Sequence, residues 1–412
     1  MLSFINIPKG SDFSIYNIPF GIFRFENKIA ACTRIGDTII DLDLCQQHGV
    51  FEGINLPVGI FNRPFLNDFI RLGKPITNQV RIRLQEAAQI GNTLDIVSNA
   101  HSDLLIDADK VDMLLPIVIG DYTDFYSSRE HATNVGMMFR DPANALLPNW
   151  LHLPVGYHGR SSSIVVSGTD IKRPSGQIMP PGADTPVFSK TKRLDFELEM
   201  AFVIGKDTEL GTSIDISDAE DYIFGVMLFN DWSARDIQRW EYVPLGPFLA
   251  KNFASTVSPW IVTLEALEPF RVNGPVQETE VLPYLQYTGA KSYDIHLSVA
   301  LSNDKNTKKT ISESNFKYMY WNMCQQLAHH TVNGCNVRVG DLLASGTISG
   351  PTPDSLGSML EITWNGTKPV VMPDNTDRTF IEDGDTVSMN GWCENENIRI
   401  GFGPCTGTIY RD

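Results

Sequence analysis

Leu194-Asp195-Phe196-Glu197-Leu198-Glu199-Met200-Ala201-Phe202-Val203-Ile204 is the stretch on which the reading of this chain turns. Its first half alternates with period 2, which predicts a β-strand with Asp195, Glu197 and Glu199 on one face and Phe196, Leu198 and Met200 on the other. Beyond Glu199 the run is apolar on both faces, so Glu197 and Glu199 adjoin a buried element. Carboxylates buried side by side are costly unless a cation or a basic partner neutralises them. The alternative is an edge strand whose polar face meets water.

Two neighbouring stretches bear on that choice. The apolar run 223–230 predicts a buried strand that ends at Asp231-Trp232-Ser233-Ala234-Arg235-Asp236, where an acid suits a ligand or a turn cap equally. Asp121-Tyr122-Thr123-Asp124-Phe125-Tyr126 likewise follows the apolar 114–119. Carboxylates gathered from these three segments would suit a hard divalent cation, Ca²⁺ or Mg²⁺, which takes oxygen ligands. Such a site stays net negative, so Arg or Lys is expected nearby.

The rest of the chain divides by texture. Residues 1–116 read as a small barrel-like cluster of strands (21–25, 28–31 and 38–42) with helices attached, the helical stretch 78–100 being interrupted by Gly91-Asn92. Residues 141–192 are rich in Pro, Gly and Ser, yet Trp150, Leu151 and Tyr157 argue for an ordered, functional loop region. Strands dominate the remainder of the chain. Tight turns are expected at Asn273-Gly274, Asn333-Gly334, Asn365-Gly366, Asn390-Gly391 and Asp383-Gly384, with 358–364 and 368–372 as a hairpin that puts Glu361 in a strand. A helix capped by Ser314 or Asn315 is expected to carry Phe316, Met319, Tyr320, Met323 and Leu327 as its apolar stripe. His131 falls in a helix capped by Ser127 or Ser128.

Composition narrows the function classes. The 412 residues hold 49 acidic and 33 basic side chains, a formal charge of −16 that disfavours nucleic acid and anionic membrane surfaces as partners. Ordinary apolar content predicts a soluble globular protein. The start, Met1-Leu2-Ser3-Phe4-Ile5, has no basic leader region, and six cysteines without CxxC spacing read as reduced thiols, so a cytoplasmic location is expected. Phosphate-loop, HExxH and GxSxG signatures are absent. Gly403-Pro404-Cys405-Thr406-Gly407 mimics a nucleophile elbow but reads as a terminal strand, and His329-His330 as ordinary helix-end histidines.

Longer wording is more specific. Asp121-Tyr122-Thr123-Asp124-Phe125-Tyr126-Ser127-Ser128-Arg129-Glu130-His131-Ala132-Thr133-Asn134-Val135-Gly136, the segments 147–160 and 230–238, the run 240–248 and Ala344-Ser345-Gly346-Thr347-Ile348-Ser349-Gly350 together resemble the fumarylacetoacetase (fumarylacetoacetate hydrolase) family. The resemblance covers nearly the whole chain, more weakly before residue 115. It implies a mostly β fold with some α, made of an SH3-like N-terminal barrel (1–116) and a large mixed β-roll catalytic domain (117–412). It further implies a homodimer, bound Ca²⁺ and Mg²⁺, and hydrolysis of the carbon–carbon bond of 4-fumarylacetoacetate, a dicarboxylate diketone, to fumarate and acetoacetate at the end of tyrosine breakdown.

Carried over by position, the resemblance assigns Asp124, Glu197, Glu199 and Asp231 to Ca²⁺, and Asp231, Lys251 and Ser255 to the Mg²⁺ site. Tyr126, Arg140, Tyr157, Gln238, Tyr242 and Thr347 fall on substrate positions. His131 falls on the general base and Glu361 on its orienting carboxylate, while Arg235, Gln238 and Lys251 fall on groups that meet oxyanion charge. These types suit the chemistry: a neutral His is the natural base near neutral pH, and a carboxylate on its other nitrogen fixes the tautomer. Lys251-Asn252-Phe253-Ala254-Ser255-Thr256 departs from the family, which usually has Gly then Thr after the Phe; Ala254 would be strained if that loop needed positive φ. Nearby alternatives are an acylpyruvate hydrolase, an oxaloacetate decarboxylase, or a non-catalytic metal-binding protein on the same fold.

Overall fold

The computed structural model describes residues 1–410. Near its start, β1 (Gly21–Phe25), β2 (Lys28–Ile35), β3 (Thr38–Asp41), β4 (Leu105–Asp107) and β5 (Asp112–Leu114) form an antiparallel sheet in the order β4-β3-β2-β1-β5. Between β3 and β4 run helices α1 (Lys74–Ala87) and α2 (Thr93–Ala100), which part at Gly91-Asn92 as their sequence predicts.

The later strands that build the two large sheets are β6 (Tyr122–Phe125), β7 (Gly156–His158), β8 (Ile164–Val166), β9 (Ile171–Lys172), β10 (Leu198–Ile204), β11 (Ile223–Asp231), β12 (Ser255–Val257), β13 (His296–Ser302), β14 (Lys308–Asn315), β15 (Leu342–Ala344), β16 (Thr386–Glu394) and β17 (Cys405–Tyr410). The central sheet runs β7-β6-β15-β10-β11-β12-β8, and a second sheet runs β14-β13-β16-β17-β9. The sheets are mixed: β15 with β6, β12 with β8 and β17 with β9 are parallel, and the pairs around β10 and β11 are antiparallel.

Strands β10 and β11 are apolar on both faces because both faces are covered. Leu198, Met200, Phe202 and Ile204 pack into one core with Leu297, Val299, Val387 and Met389 of the second sheet. Ala201 and Val203 face the other way, into a core shared with Phe20, Ile22, Phe61 and Phe69 from the N-terminal region. A sheet covered on both sides must present apolar residues on both. Phe20 also exchanges backbone hydrogen bonds with Ile261, tying the N-terminal region to the rest.

Several local expectations need correction. The stretch 194–204 is two strand pieces: Leu194–Asp195 pairs with Ser233–Ala234, and β10 begins at Leu198. The break has a local cause, because the Asp195 carboxylate takes the N–H of Phe196, a side-chain bond that competes with the ladder. Glu361 lies in a helical turn, Met359–Ile362, rather than in a hairpin; Ser358 caps the turn, and Val370–Val371 pairs with Asp377–Arg378 instead. The helix expected from 314–315 starts later, at Met323, where Asn322 and Gln325 make a reciprocal capping box; residues 308–315 are strand β14. Asn390-Gly391 is no turn but mid-strand in β16. A Cβ on Gly391 would stand 3.1 Å from a Leu228 methyl, so close packing, not turn geometry, selects the glycine. Ala254 is not among the residues with positive φ, and it carries no such strain.

Candidate active site

The site assembles where strand ends meet. Asp124 stands on β6, Glu199 on β10 and Asp231 at the end of β11, while Glu197 occupies the break before β10. Each carboxylate offers an oxygen, and the four oxygens lie within 4.8 Å of one another. All four residues are buried. Glu197 and Glu199 are neighbours in sequence, and antiparallel pairing of β10 with β11, with the link through β15 to β6, brings Asp231 and Asp124 to them.

Two cations temper the cluster. The Lys251 ammonium donates to Glu197 Oε2 at 2.6 Å and to Asp231 Oδ2 at 2.7 Å. Arg235 Nη1 lies 2.8 Å from Glu197 Oε1, and its Nε donates to Asp195 Oδ2 at 2.8 Å. Tyr157 and Ser255 donate their hydroxyls to Asp231 at 3.0 and 3.1 Å. Burial alone would push Glu197 up, but Lys251, Arg235 and His131 hold it well below the usual carboxylate range. Lys251 also favours ionised Asp124 and Glu199, and Tyr157 adds to this at Asp124, but neither prevails. Burial pushes both up, and neighbouring carboxylates add to it, Asp231 leading for Asp124 and Asp124 for Glu199. Buried Lys251 is nonetheless pushed up, because Asp231 and Glu197 outweigh its desolvation.

These residues fit a divalent cation by a direct observation. Asp124 Oδ1 and Glu199 Oε1 are buried and accept no hydrogen bond within the protein. Buried carboxylate oxygens without partners are expensive, and an oxygen-seeking dication is the partner that removes the cost for both at once. Lys251 and Ser255, expected at a second cation, stand here as donors to Asp231.

Beside the cluster lies a histidine with a fully engaged carboxylate. Ser128, rather than Ser127, caps the helix Arg129–Phe139 that carries His131. His131 Nδ1 is 2.7 Å from Glu361 Oε2, and both side chains are buried. Glu361 also accepts from Asn134 at 2.9 Å, from Ser358 at 2.9 Å and from Ser349 on both oxygens at 2.9 and 3.0 Å. Burial opposes its ionisation, but its interaction with His131 and the hydrogen bonds from His131, Asn134 and Ser349 prevail and hold it low. An ionised Glu361 accepts only, so the proton sits on Nδ1. The field of His131 reaches Glu197, which ties this pair to the acid cluster.

The expected substrate residues are unequally placed. Tyr126 stacks edge-on against His131 at 5.2 Å, and its hydroxyl is pushed up by burial and then by Glu361, with Arg140 pulling the other way. Gln238 accepts from Arg235 Nη1 at 3.2 Å, and Thr347 is buried. Arg140 is exposed just past its helix with its guanidinium on the Ala145 carbonyl, and Tyr242 is 51% exposed beyond Arg235–Glu241. A cavity of about 400 Å³ opens onto the cluster, lined by Tyr122, Tyr157, Asp231, Phe248 and Lys251 among others. A larger open cleft near Phe13, Arg34 and Trp392 holds none of these groups. Sequence reading passed over Asn134, Ser349 and Ser358 as supports of Glu361. Asn134 had a usable signal, lying three residues after His131 on the same helix face.

Fold and site together define a class: a mixed α/β enzyme, with more strand than helix, whose acid cluster suits a divalent cation and lies next to a carboxylate-backed histidine. Comparison makes it particular. Residues 121–410 match the family described as Fumarylacetoacetate (FAA) hydrolase C-terminal, and residues 16–116 match Fumarylacetoacetase N-terminal. The chain is 51% identical over 412 residues to the fumarylacetoacetase of Homo sapiens, covering 99% of this chain and 98% of that one. It is 51% identical to that of Dictyostelium discoideum (99% and 97% covered) and 49% to that of Arabidopsis thaliana (99% and 98%). A fumarylacetoacetate hydrolase from Exiguobacterium antarcticum shares the fold with TM-score 0.53 at 18% identity, covering 96% of this chain and 100% of its own. The chain belongs to the fumarylacetoacetate hydrolase family.

Proposed function

We propose that this protein is a hydrolase that cleaves the carbon–carbon bond of 4-fumarylacetoacetate, releasing fumarate and acetoacetate. One observation carries the reading: the likeness to fumarylacetoacetases at about half identity runs over 99% of the chain. The His131–Glu361 pair beside the acid cluster supplies chemistry to match.

In this reading His131 Nε2, the ring nitrogen that Glu361 leaves free, takes a proton from water. Glu361 holds the Nδ1 proton and balances the imidazolium that forms. The hydroxide adds to the ketone next to the fumaryl double bond. Arg235 meets the resulting oxyanion: Asp195 and Glu197 fix its Nε and Nη1, and its buried Nη2 has no partner in the protein. Lys251 and Gln238 add to the positive potential there. Collapse of the adduct breaks the bond to the central methylene, which leaves as an enolate conjugated with the second ketone. His131 returns the proton to that carbon, so the elements of water are divided between the two products. Asp124, Glu197, Glu199 and Asp231 would hold a divalent cation, Ca²⁺ in our reading, which supplies Lewis acidity toward the diketone oxygens. Asp231, Lys251 and Ser255 would border a second, Mg²⁺.

Tyr126, Arg140, Tyr157, Tyr242 and Thr347 are read as substrate contacts, with Arg140 suited to a terminal carboxylate. Exposed Arg140 and Tyr242 then have to approach the ligand when it binds. The same reading takes 1–116 as an SH3-like barrel, 117–412 as the catalytic β-roll, and the protein as a cytoplasmic homodimer. No helix among the described residues is long and apolar enough to cross a membrane. The test is loss of diketone absorbance when purified, metal-loaded protein meets fumarylacetoacetate, run beside His131→Ala. Cleavage by wild type alone is expected; an inert wild type that consumes acylpyruvate or oxaloacetate would replace this reading.

A further inference from the structure

Asp195 takes no part in the steps of the hydrolysis, yet it is fully buried and every acceptor position of its carboxylate is used. Oδ1 accepts the N–H of Phe196 at 2.9 Å and of Met359 at 2.7 Å; Oδ2 accepts the N–H of Leu360 at 3.0 Å and Arg235 Nε–H at 2.8 Å. The residue thus joins two parts of the site that reach it from opposite directions. One is Arg235, whose Nη1 is set by Glu197 and whose Nη2 stays free. The other is the turn Met359–Ile362, where Glu361, next after Leu360, grips His131.

We infer that Asp195 is a positioning residue for the hydrolysis, holding the Arg235 guanidinium in register with the His131–Glu361 pair. The inference rests on the proposed hydrolysis of fumarylacetoacetate. Base and oxyanion donor must act on the same carbonyl group, one on the attacking water and one on the oxygen, and a misplacement of about 1 Å costs roughly 100-fold in rate. A carboxylate suits the task because its four hydrogen bonds come from four donors. Asparagine has the same shape but would turn an N–H₂ toward donors, Leu360 N–H and Arg235 Nε–H among them, and push them apart.

The experiment measures kcat and KM for fumarylacetoacetate in Asp195→Asn, Arg235→Met and the double variant, all metal-loaded. Asp195→Asn is expected to lower kcat about 100-fold with KM changed less than about threefold, since ground-state binding is not at stake. In the Arg235→Met background there is no guanidinium left to hold, so adding Asp195→Asn costs only what disturbing the Glu361 turn adds, about tenfold or less against about 100-fold when Arg235 is present. Equal losses in both backgrounds would make Asp195 a purely structural residue and overturn the inference. Should Asp195→Asn fail to fold, Arg235→Lys decides: one ammonium cannot span Asp195 and Glu197 as the fork does, so kcat is expected near that of Arg235→Met despite the retained charge. A kcat within about threefold of wild type in Arg235→Lys would overturn the inference too. A wild type inert toward fumarylacetoacetate removes the functional reading itself, whereas an active wild type with an active Asp195→Asn removes only this inference.

Discussion

Glu361 and Glu199 are both buried, and the protein treats them in opposite ways. Glu361 accepts hydrogen bonds from His131, Asn134, Ser349 and Ser358, and is held below the usual carboxylate range. Glu199 accepts one backbone N–H, from Gly346, leaves its other oxygen without a partner, and is pushed upward by burial and by Asp124. A carboxylate satisfied by protein donors orients a neighbour and asks for nothing from solution. One left unsatisfied among other acids has the chemistry to take a cation. The same residue type at the same depth does different work because of the donors around it.

That contrast can be broken from either side. The largest effect is expected from removing metal: exhaustive chelation should lower turnover by about 10⁴-fold or more, restored by Ca²⁺ or Mg²⁺, as Lewis-acid assistance is worth several kcal/mol. Full activity after chelation would put the acid cluster outside the chemistry. Next, His131→Ala should lose about 10³-fold in kcat, the range of a missing general base. Because His131 is not a cation ligand in our reading, the rise in Tm on adding Ca²⁺ should persist in that variant.

The most discriminating pair is Glu361→Gln against Glu199→Gln. Glu361→Gln should cost about 10- to 100-fold in kcat, the usual toll for a group that orients a first contact. It should also destabilise the fold by about 1.5–3 kcal/mol, the worth of hydrogen bonds to a charged group. Glu199→Gln should do the reverse to the metal-free fold, raising Tm by removing one like charge, about 1 kcal/mol, while abolishing the Ca²⁺-dependent rise. Urea unfolding with and without Ca²⁺ reads both signs, and equal signs would erase the distinction. The pH dependence follows from the lowered Glu361: its contribution is fully present above the unfolded carboxylate range and is lost as pH falls through the folded value. The stability gap between wild type and Glu361→Gln should therefore close on acidification. The smallest effect is expected from Asn134→Ala, a few-fold in kcat, since Glu361 keeps its other donors.

Much of the candidate site could be read without coordinates. Asp124, Glu197, Glu199 and Asp231 stood out as acids at the edges of apolar runs; 198–204 and 223–230 are buried strands because both of their faces are covered, whereas 115–119 is not a strand, Val118 is half exposed, and Asp124 sits on the separate strand β6. The His131 helix and its serine cap were local features too, written within a few residues of one another. Glu361 shows where local reading stops. Its surroundings look like a hairpin, but Ser358 takes the N–H of Glu361 and starts a helical turn, and Asp195, more than 160 residues away in sequence, holds the first two N–H groups of that turn.

What the sequence determined by itself, then, is the strand periodicity, the apolar runs, the supply of acids and the wording of the family. All of these follow from chain geometry and side-chain chemistry over short spans. Tertiary structure alone decided which acids meet, that Lys251 and Arg235 neutralise Glu197 while Glu199 keeps an orphaned oxygen, and that Asp195 links Arg235 to the turn bearing Glu361. Those outcomes depend on sheet order and on hydrogen bonds between segments far apart in the chain, and no local pattern encodes which buried donor ends opposite which buried acceptor.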